Sequence, residues 1–120
     1  MSKHPIVHIE FSASDRQAAG KFYNDVFGWK ITDSPEMNYT EFEYEEGRGG
    51  GFNTVSESNP AGTVTVYIEA NDIEGTLAKI EANGGKIILP KSEIPNVGWF
   101  AFFSDPTGNQ VALFKSITEE

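Results

Sequence analysis

One order of elements runs through the chain twice: a strand, a helix, then three strands. Val7, Ile9 and Phe11 alternate with His8, Glu10 and Ser12, and Val64, Val66 and Ile68 alternate with Thr65, Tyr67 and Glu69. A period of two marks a strand with one buried face. Each strand leads into an amphipathic helix. Ala18, Phe22 and Val26, flanked by Ala19, Tyr23 and Phe27, predict a helix over 15–27, and Ile73, Leu77 and Ile80 predict one over 73–83. Ser14 followed by Gln17 has the spacing of a capping box, and Asn71 or Asp72 is placed to cap the second helix. Gly28 and Gly84–Gly85 suit the helix ends.

Three short strand candidates follow each helix: Trp29–Asp33, Tyr39–Tyr44 and Gly51–Val55, then Lys86–Pro90, Trp99–Ser104 and Gln110–Lys115. Gly28-Trp-Lys-Ile echoes Gly84-Gly-Lys-Ile at an offset of 56, and the first strands of the two halves align His8 with Thr65 and Glu10 with Tyr67 at an offset of 57. A repeated order with matched apolar faces points to internal duplication. The expectation is one α+β domain over residues 1–120, with βαβββ modules at about 5–58 and 63–116 joined through Pro60–Gly62.

Composition narrows the function. The chain has 120 residues and no cysteine, which excludes disulfides, thiolate metal sites and a Cys nucleophile. Its formal charge is −9, spread over both halves without a basic stripe, so nucleic acid and membrane surfaces are not the expected partners. With no apolar run of membrane-spanning length and no signal pattern, a cytoplasmic location is expected. The glycines at 47, 49, 50 and 51 lack the lysine and following helix of a phosphate loop, and read as a hairpin turn with close backbone approach.

The segments IVHIEF, FYNDVFGW, VTVYIEANDIEGTLAKIEANGGK and WFAFFSDPTGNQVALF, in this order, resemble the vicinal oxygen chelate superfamily. That group includes glyoxalase I, bleomycin and fosfomycin resistance proteins and extradiol dioxygenases. The resemblance covers residues 5–115. It implies two βαβββ modules forming a curled mixed-sheet cleft, with helices outside and a small organic molecule bound on the concave face. Its metal-dependent members carry ligands on the first and last strand of each module. His8 matches the first such position, but the others fall at Thr65 or Val66, at Ala112 and in the Gly49–Phe52 strand, none of which offers a standard donor. A family-type divalent metal is therefore not expected, and no other cofactor is assigned.

The candidate ligand contacts are His8, Glu10, Thr65, Tyr67, Trp99, Phe103 and Phe114. His8 and Glu10 share a strand face and are also the candidates for proton transfer, although an ordinary strand histidine fits the spacing equally well. Trp99, Phe103 and Phe114 join the set if the Asp105–Gly108 turn pairs Ala101 with Ala112; Phe100, Phe102, Val111 and Leu113 then face the helices. Phe22, Phe27 and Trp29 read as core. Two functions stay open: a small-molecule binding protein, as in the drug-resistance branch, or a metal-dependent lyase or isomerase of the lactoylglutathione lyase type. Exposed sheet edges and abundant aromatic residues point to a homodimer.

Overall fold

The computed structural model describes residues 4–57 and 59–118. In chain order the elements are β1 (Ile6–Ala13), α1 (Arg16–Phe27), β2 (Lys30–Ser34), a short 3-10 turn (Pro35–Met37), β3 (Tyr39–Glu45), β4 (Arg48–Thr54), β5 (Val64–Glu69), α2 (Ile73–Ala82), β6 (Lys86–Ile94), β7 (Gly98–Ser104) and β8 (Gln110–Ser116). This is the repeated βαβββ order, in an α+β fold. The chain divides into two compact units, Val7–Thr65 and a second that begins at Val66 and takes in the residues through Ile6.

In the first unit the strands run β2-β3-β4-β1. β1 lies parallel to β4, while β3 is antiparallel to both β2 and β4. The parallel pair needs a crossover, and α1 with β2 and β3 supplies it. One sheet face packs on α1 through an aromatic cluster. Phe11 lies 5.8 Å from Tyr23 and 5.7 Å from Phe42 and from Phe52, and Trp29 stacks on Phe42 at 4.7 Å between ring centres. Gly20 is the buried residue of α1, set against Ile31 and Thr40.

The second unit repeats the plan, with strands β5-β8-β7-β6 and β5 parallel to β8. Its helix-side core is mostly aliphatic, with Phe103 inside it and Trp99 at its edge. Ala70, Ile73, Leu77, Ala101, Phe103 and Leu113 are buried together, with Ile68, Ile80, Ile87, Trp99 and Val111 packed around them.

The helix caps mark the duplication locally. Asp15 accepts from the Ala18 N–H at 3.0 Å, and Asp72 accepts from the Gly75 N–H at 3.0 Å. The two caps stand 57 residues apart, the offset of the first strands. Asp15 thus replaces Ser14, the expected cap, because the helix starts one residue later and its first free N–H groups face the carboxylate. Gly28 closes α1 in the left-handed region at φ 75°.

Two other expectations are corrected. Phe22 and Phe27 are 54% and 60% exposed, and Val26 is 57% exposed, so they do not fill the core. The arc of α1 against the sheet is occupied by Ala19, Gly20 and Tyr23, and the apolar stripe is wider than that arc. Trp29 does pack, half-buried against Tyr23 and Phe42.

The second correction is the register of β7 on β8. Ala101 pairs with Leu113, not Ala112, and Phe102 pairs with Ala112. Asn109 belongs to the turn: the Asp105 N–H donates to the Asn109 carbonyl, and Ser104 pairs with Gln110. A five-residue turn where four were expected shifts the pairing by one residue and exchanges the faces of the partner strand. Trp99 and Phe103 therefore face α2. Phe100 and Phe102 take the opposite face with Ala112 and Phe114, and Leu113 joins the helix-side core.

Candidate functional site

Each sheet has a face that its helix does not cover. On the first unit, pairing lays the residues of this face in rows. Glu10 and Glu41 flank Gly51, and Ser12 and Tyr39 flank Asn53. Glu43 flanks Gly49 and pairs on its other side with Lys30. Alternation adds His8 beside Gly49. The face is thus polar along its rim, with Gly49, Gly51 and Asn53 along β4.

His8 and Glu10 do not bond directly. Tyr39 stands between them: its hydroxyl donates to Glu10 Oε2 at 2.9 Å, and His8 Nε2 lies 2.6 Å from the same oxygen. The imidazole and phenol rings are close to parallel, with centres 6.2 Å apart. Asn53 Nδ2 reaches Glu10 Oε1 at 3.5 Å. All four side chains are half-buried. Because the Tyr39 proton goes to Glu10, its oxygen accepts from His8, which makes Nε2 the protonated ring nitrogen of a neutral imidazole. Burial lowers the His8 pKa below its ordinary 6.5, so the neutral form prevails at pH 7.

A groove of about 350 Å3 opens beside His8 over Gly49 and Gly50, with Lys30, Thr32, Glu41, Glu43 and Arg48 along it. Glu43 is held in place by the Gly47 N–H at 2.8 Å. Both signs of charge line the groove, so it does not select a simple anion. The other histidine, His4, bonds the Glu69 carbonyl oxygen at 2.8 Å on the second unit and takes no part here.

β5 carries Thr65 and Tyr67, 4% and 8% exposed. Tyr67 pairs with Ala112 and meets Phe102 edge-on at 6.3 Å between centres. Phe114 pairs with Glu69 and Phe100. Tyr67 and Phe114 therefore share a helix-free face, although the Ala101–Ala112 pairing on which Phe114 was expected there does not occur. Trp99 and Phe103 lie on the other side. Phe103 is buried in the α2 core, and Trp99 is packed against that core with Lys91 and Lys115 ammonium groups 5.4 and 5.9 Å from its ring centre.

The residues do not fit a family-type metal. Among the described residues no three His, Cys, Asp or Glu side chains gather to hold an ion. Of the other positions the resemblance gave, Thr65 offers only a hydroxyl, and Val66, Ala112 and Gly49–Phe52 offer no imidazole or carboxylate side chain. His8 Nε2 is already engaged by Tyr39.

Tyr39 is the member of this hydrogen-bonded chain that sequence reasoning missed. Alternation along Tyr39–Tyr44 does put it on one face with Glu41 and Glu43. Its approach to His8, 31 residues away, depends on strand pairing that no local pattern reveals.

Residues 5–113 match the Glyoxalase/Bleomycin resistance protein/Dioxygenase superfamily. A glyoxylase-like domain-containing protein of Didymella fabae is 32% identical over 118 residues, covering 88% of each chain. CFP32 of Mycobacterium bovis, provisionally named a glyoxylase, is 26% identical over 125 residues, covering 90% of this chain and 44% of its own. The chain thus spans less than half the length of that relative. The crystal structure of a superfamily member from Vibrio splendidus 12B01 matches with a TM-score of 0.67 at 16% identity, over 91% of this chain and 97% of that one. No helix among the described residues is long and apolar enough to cross a membrane. With nearly its whole length matched and its βαβββ order repeated, the chain belongs to the Glyoxalase/Bleomycin resistance protein/Dioxygenase superfamily.

Proposed function

We propose that the protein binds a small oxygen-bearing organic molecule on the helix-free face of its first module, with His8, Tyr39 and Glu10 as the polar contacts. The observation that carries this reading is the His8–Tyr39–Glu10 chain beside an open groove. A neutral imidazole, a phenol and a carboxylate held in sequence offer both donors and acceptors in fixed positions, which lowers the ordering cost of binding. The same groups can take up or release a proton, so a lyase or isomerase step on the bound molecule is compatible with them. Thr65 and Tyr67 of β5, with Phe114 of β8, are a separate candidate contact set. The working form in this reading is a cytoplasmic homodimer, for which exposed Phe22, Val26 and Phe27 on α1 offer apolar contact surface.

The metal-dependent lyase reading draws support from the glyoxylase names of the relatives. The donor set counts against it.

Titration of isotope-labelled protein with a series of small 1,2-dicarbonyl and 2-hydroxycarbonyl compounds tests the proposal. The expected result is saturable shifts at His8 and Tyr39, with affinity weakened in His8→Ala by about 0.5–1.5 kcal/mol, the loss of one neutral hydrogen bond. Shifts confined to other residues overturn it. Elemental analysis of protein purified without chelators, with zinc and nickel calorimetry, tests the alternative. One bound metal per chain, lost in His8→Ala, moves the protein to the metalloenzyme branch.

A further inference from the structure

Three successive glycines of β4 have three different neighbours. A Cβ at Gly49 would strike the Phe42 carbonyl oxygen, and one at Gly50 would strike the Ile9 carbonyl oxygen. Both are main-chain atoms of adjoining strands, so those two glycines serve close backbone approach. Gly51 differs. The three atoms nearest its missing Cβ all belong to the Tyr39 side chain: the hydroxyl oxygen, Cζ and Cε2.

Tyr39 does not stand in the row of Gly51. It pairs with Asn53, one row further along the sheet, while Gly51 pairs with Glu10 and Glu41. To reach Glu10 and His8 the phenol must lie back across β4, and it does so through the volume that any side chain at 51 would occupy.

We propose that Gly51 is a positioning residue, whose missing Cβ seats Tyr39 between His8 and Glu10 and so joins an imidazole and a carboxylate into one hydrogen-bonded unit. The proposal deepens the binding reading above and rests on it for its functional meaning.

Two proton arrangements satisfy the chain. In one, His8 Nε2–H donates to Tyr39, Tyr39 donates to Glu10, and Glu10 is a carboxylate. In the other, a protonated Glu10 donates to Tyr39, Tyr39 donates to His8 Nε2, and the His8 ring hydrogen is on Nδ1. They differ by one proton gained at Nδ1 while one moves from Nε2 to the Tyr39 oxygen and one from that oxygen to Glu10, so atoms and charge balance. Seated by Gly51, Tyr39 lets a proton received at the histidine be stored on the carboxylate. Without the phenol, the alternation of β1 leaves the two groups about 6.6 Å apart along the strand.

The test is a mutant cycle read without any ligand. Wild type is expected to show His8 in the Nε2–H form by nitrogen-15 NMR. Tyr39→Phe, which keeps the ring and removes the hydroxyl, is expected to lose that fixed form. Gly51→Ala is expected to lose it as well, and Gly51→Ala with Tyr39→Phe should match Tyr39→Phe alone at His8.

Thermal melting supplies the second arm. Gly51→Ala should lower Tm in wild type and cost little in a Tyr39→Ala background, where the methyl group has room. An unchanged His8 spectrum in folded Gly51→Ala overturns the proposal. So does an equal Tm loss in both backgrounds, which would put the need for glycine in the backbone. If Gly51→Ala alone does not fold, its behaviour in the Tyr39→Ala background decides. The cycle needs no ligand, so failure of the ligand titration and failure of the cycle are separate results.

Discussion

The two modules share a scaffold and invert its chemistry. Module one puts aromatic rings under its helix, where Phe11, Tyr23, Trp29, Phe42 and Phe52 interlock, and polar groups on its helix-free face. Module two packs Ile73 and Leu77 of its helix on Leu113 and Phe103, a mostly aliphatic contact, and puts Tyr67, Phe100, Phe102 and Phe114 on the opposite side. Strand order, the parallel closing pair and the Asp cap are common to both. The spacing of apolar residues sets the βαβββ fold, and either kind of hydrophobic side chain satisfies it. The helix-free face is under no such constraint, so it is where the modules diverge in polarity.

Core truncation gives the largest expected difference. Phe52→Ala removes a ring that contacts Phe11, Tyr23 and Phe42, and should cost about 3–5 kcal/mol. Leu113→Ala should cost about 2–5 kcal/mol in the mostly aliphatic core. Urea unfolding measures both, and a loss well under 1 kcal/mol in either would break the account of that module's core. The caps should be equal: Asp15→Ala and Asp72→Ala each lose one N-cap bond, about 1 kcal/mol. A large inequality in the same assay would show that the duplication does not extend to the helix starts.

Smaller effects separate the polar face from the turn. The His8 pKa is lower folded than its ordinary 6.5, so its contribution to stability is complete above that value and declines as pH falls from 6.5 toward the folded pKa. His8→Gln should flatten this part of the stability profile, and an unaltered slope would place its origin elsewhere.

Asp105 marks module two. Bonds from Asn109, then Thr107, hold its carboxyl at about 2, below its ordinary 3.8. Its contribution is present above 3.8 and lost as pH falls through about 2. Asp105→Asn should remove that decline, read by circular dichroism between pH 4 and pH 2. The effect is expected to be the smallest, since the group is exposed.

The amino-acid sequence determined the element order, both helices, the second cap to within Asn71 or Asp72, and the face of His8 and Glu10, because these follow from periods of 3.6 and 2 and from local capping chemistry. Tyr67 and Phe114 do share a face, but Phe114 was expected there only through an Ala101–Ala112 pairing that does not form. Trp99 and Phe103 were not placed correctly, because one turn residue, Asn109, decides the register of a whole hairpin. Helix burial was overstated for Phe22 and Phe27, since an apolar stripe shows that a helix has a buried side but not how wide the contact is. Only the tertiary structure brought Tyr39 across Gly51 to His8 and Glu10. That contact joins side chains 29 and 31 residues apart, and it depends on an atom that Gly51 does not have.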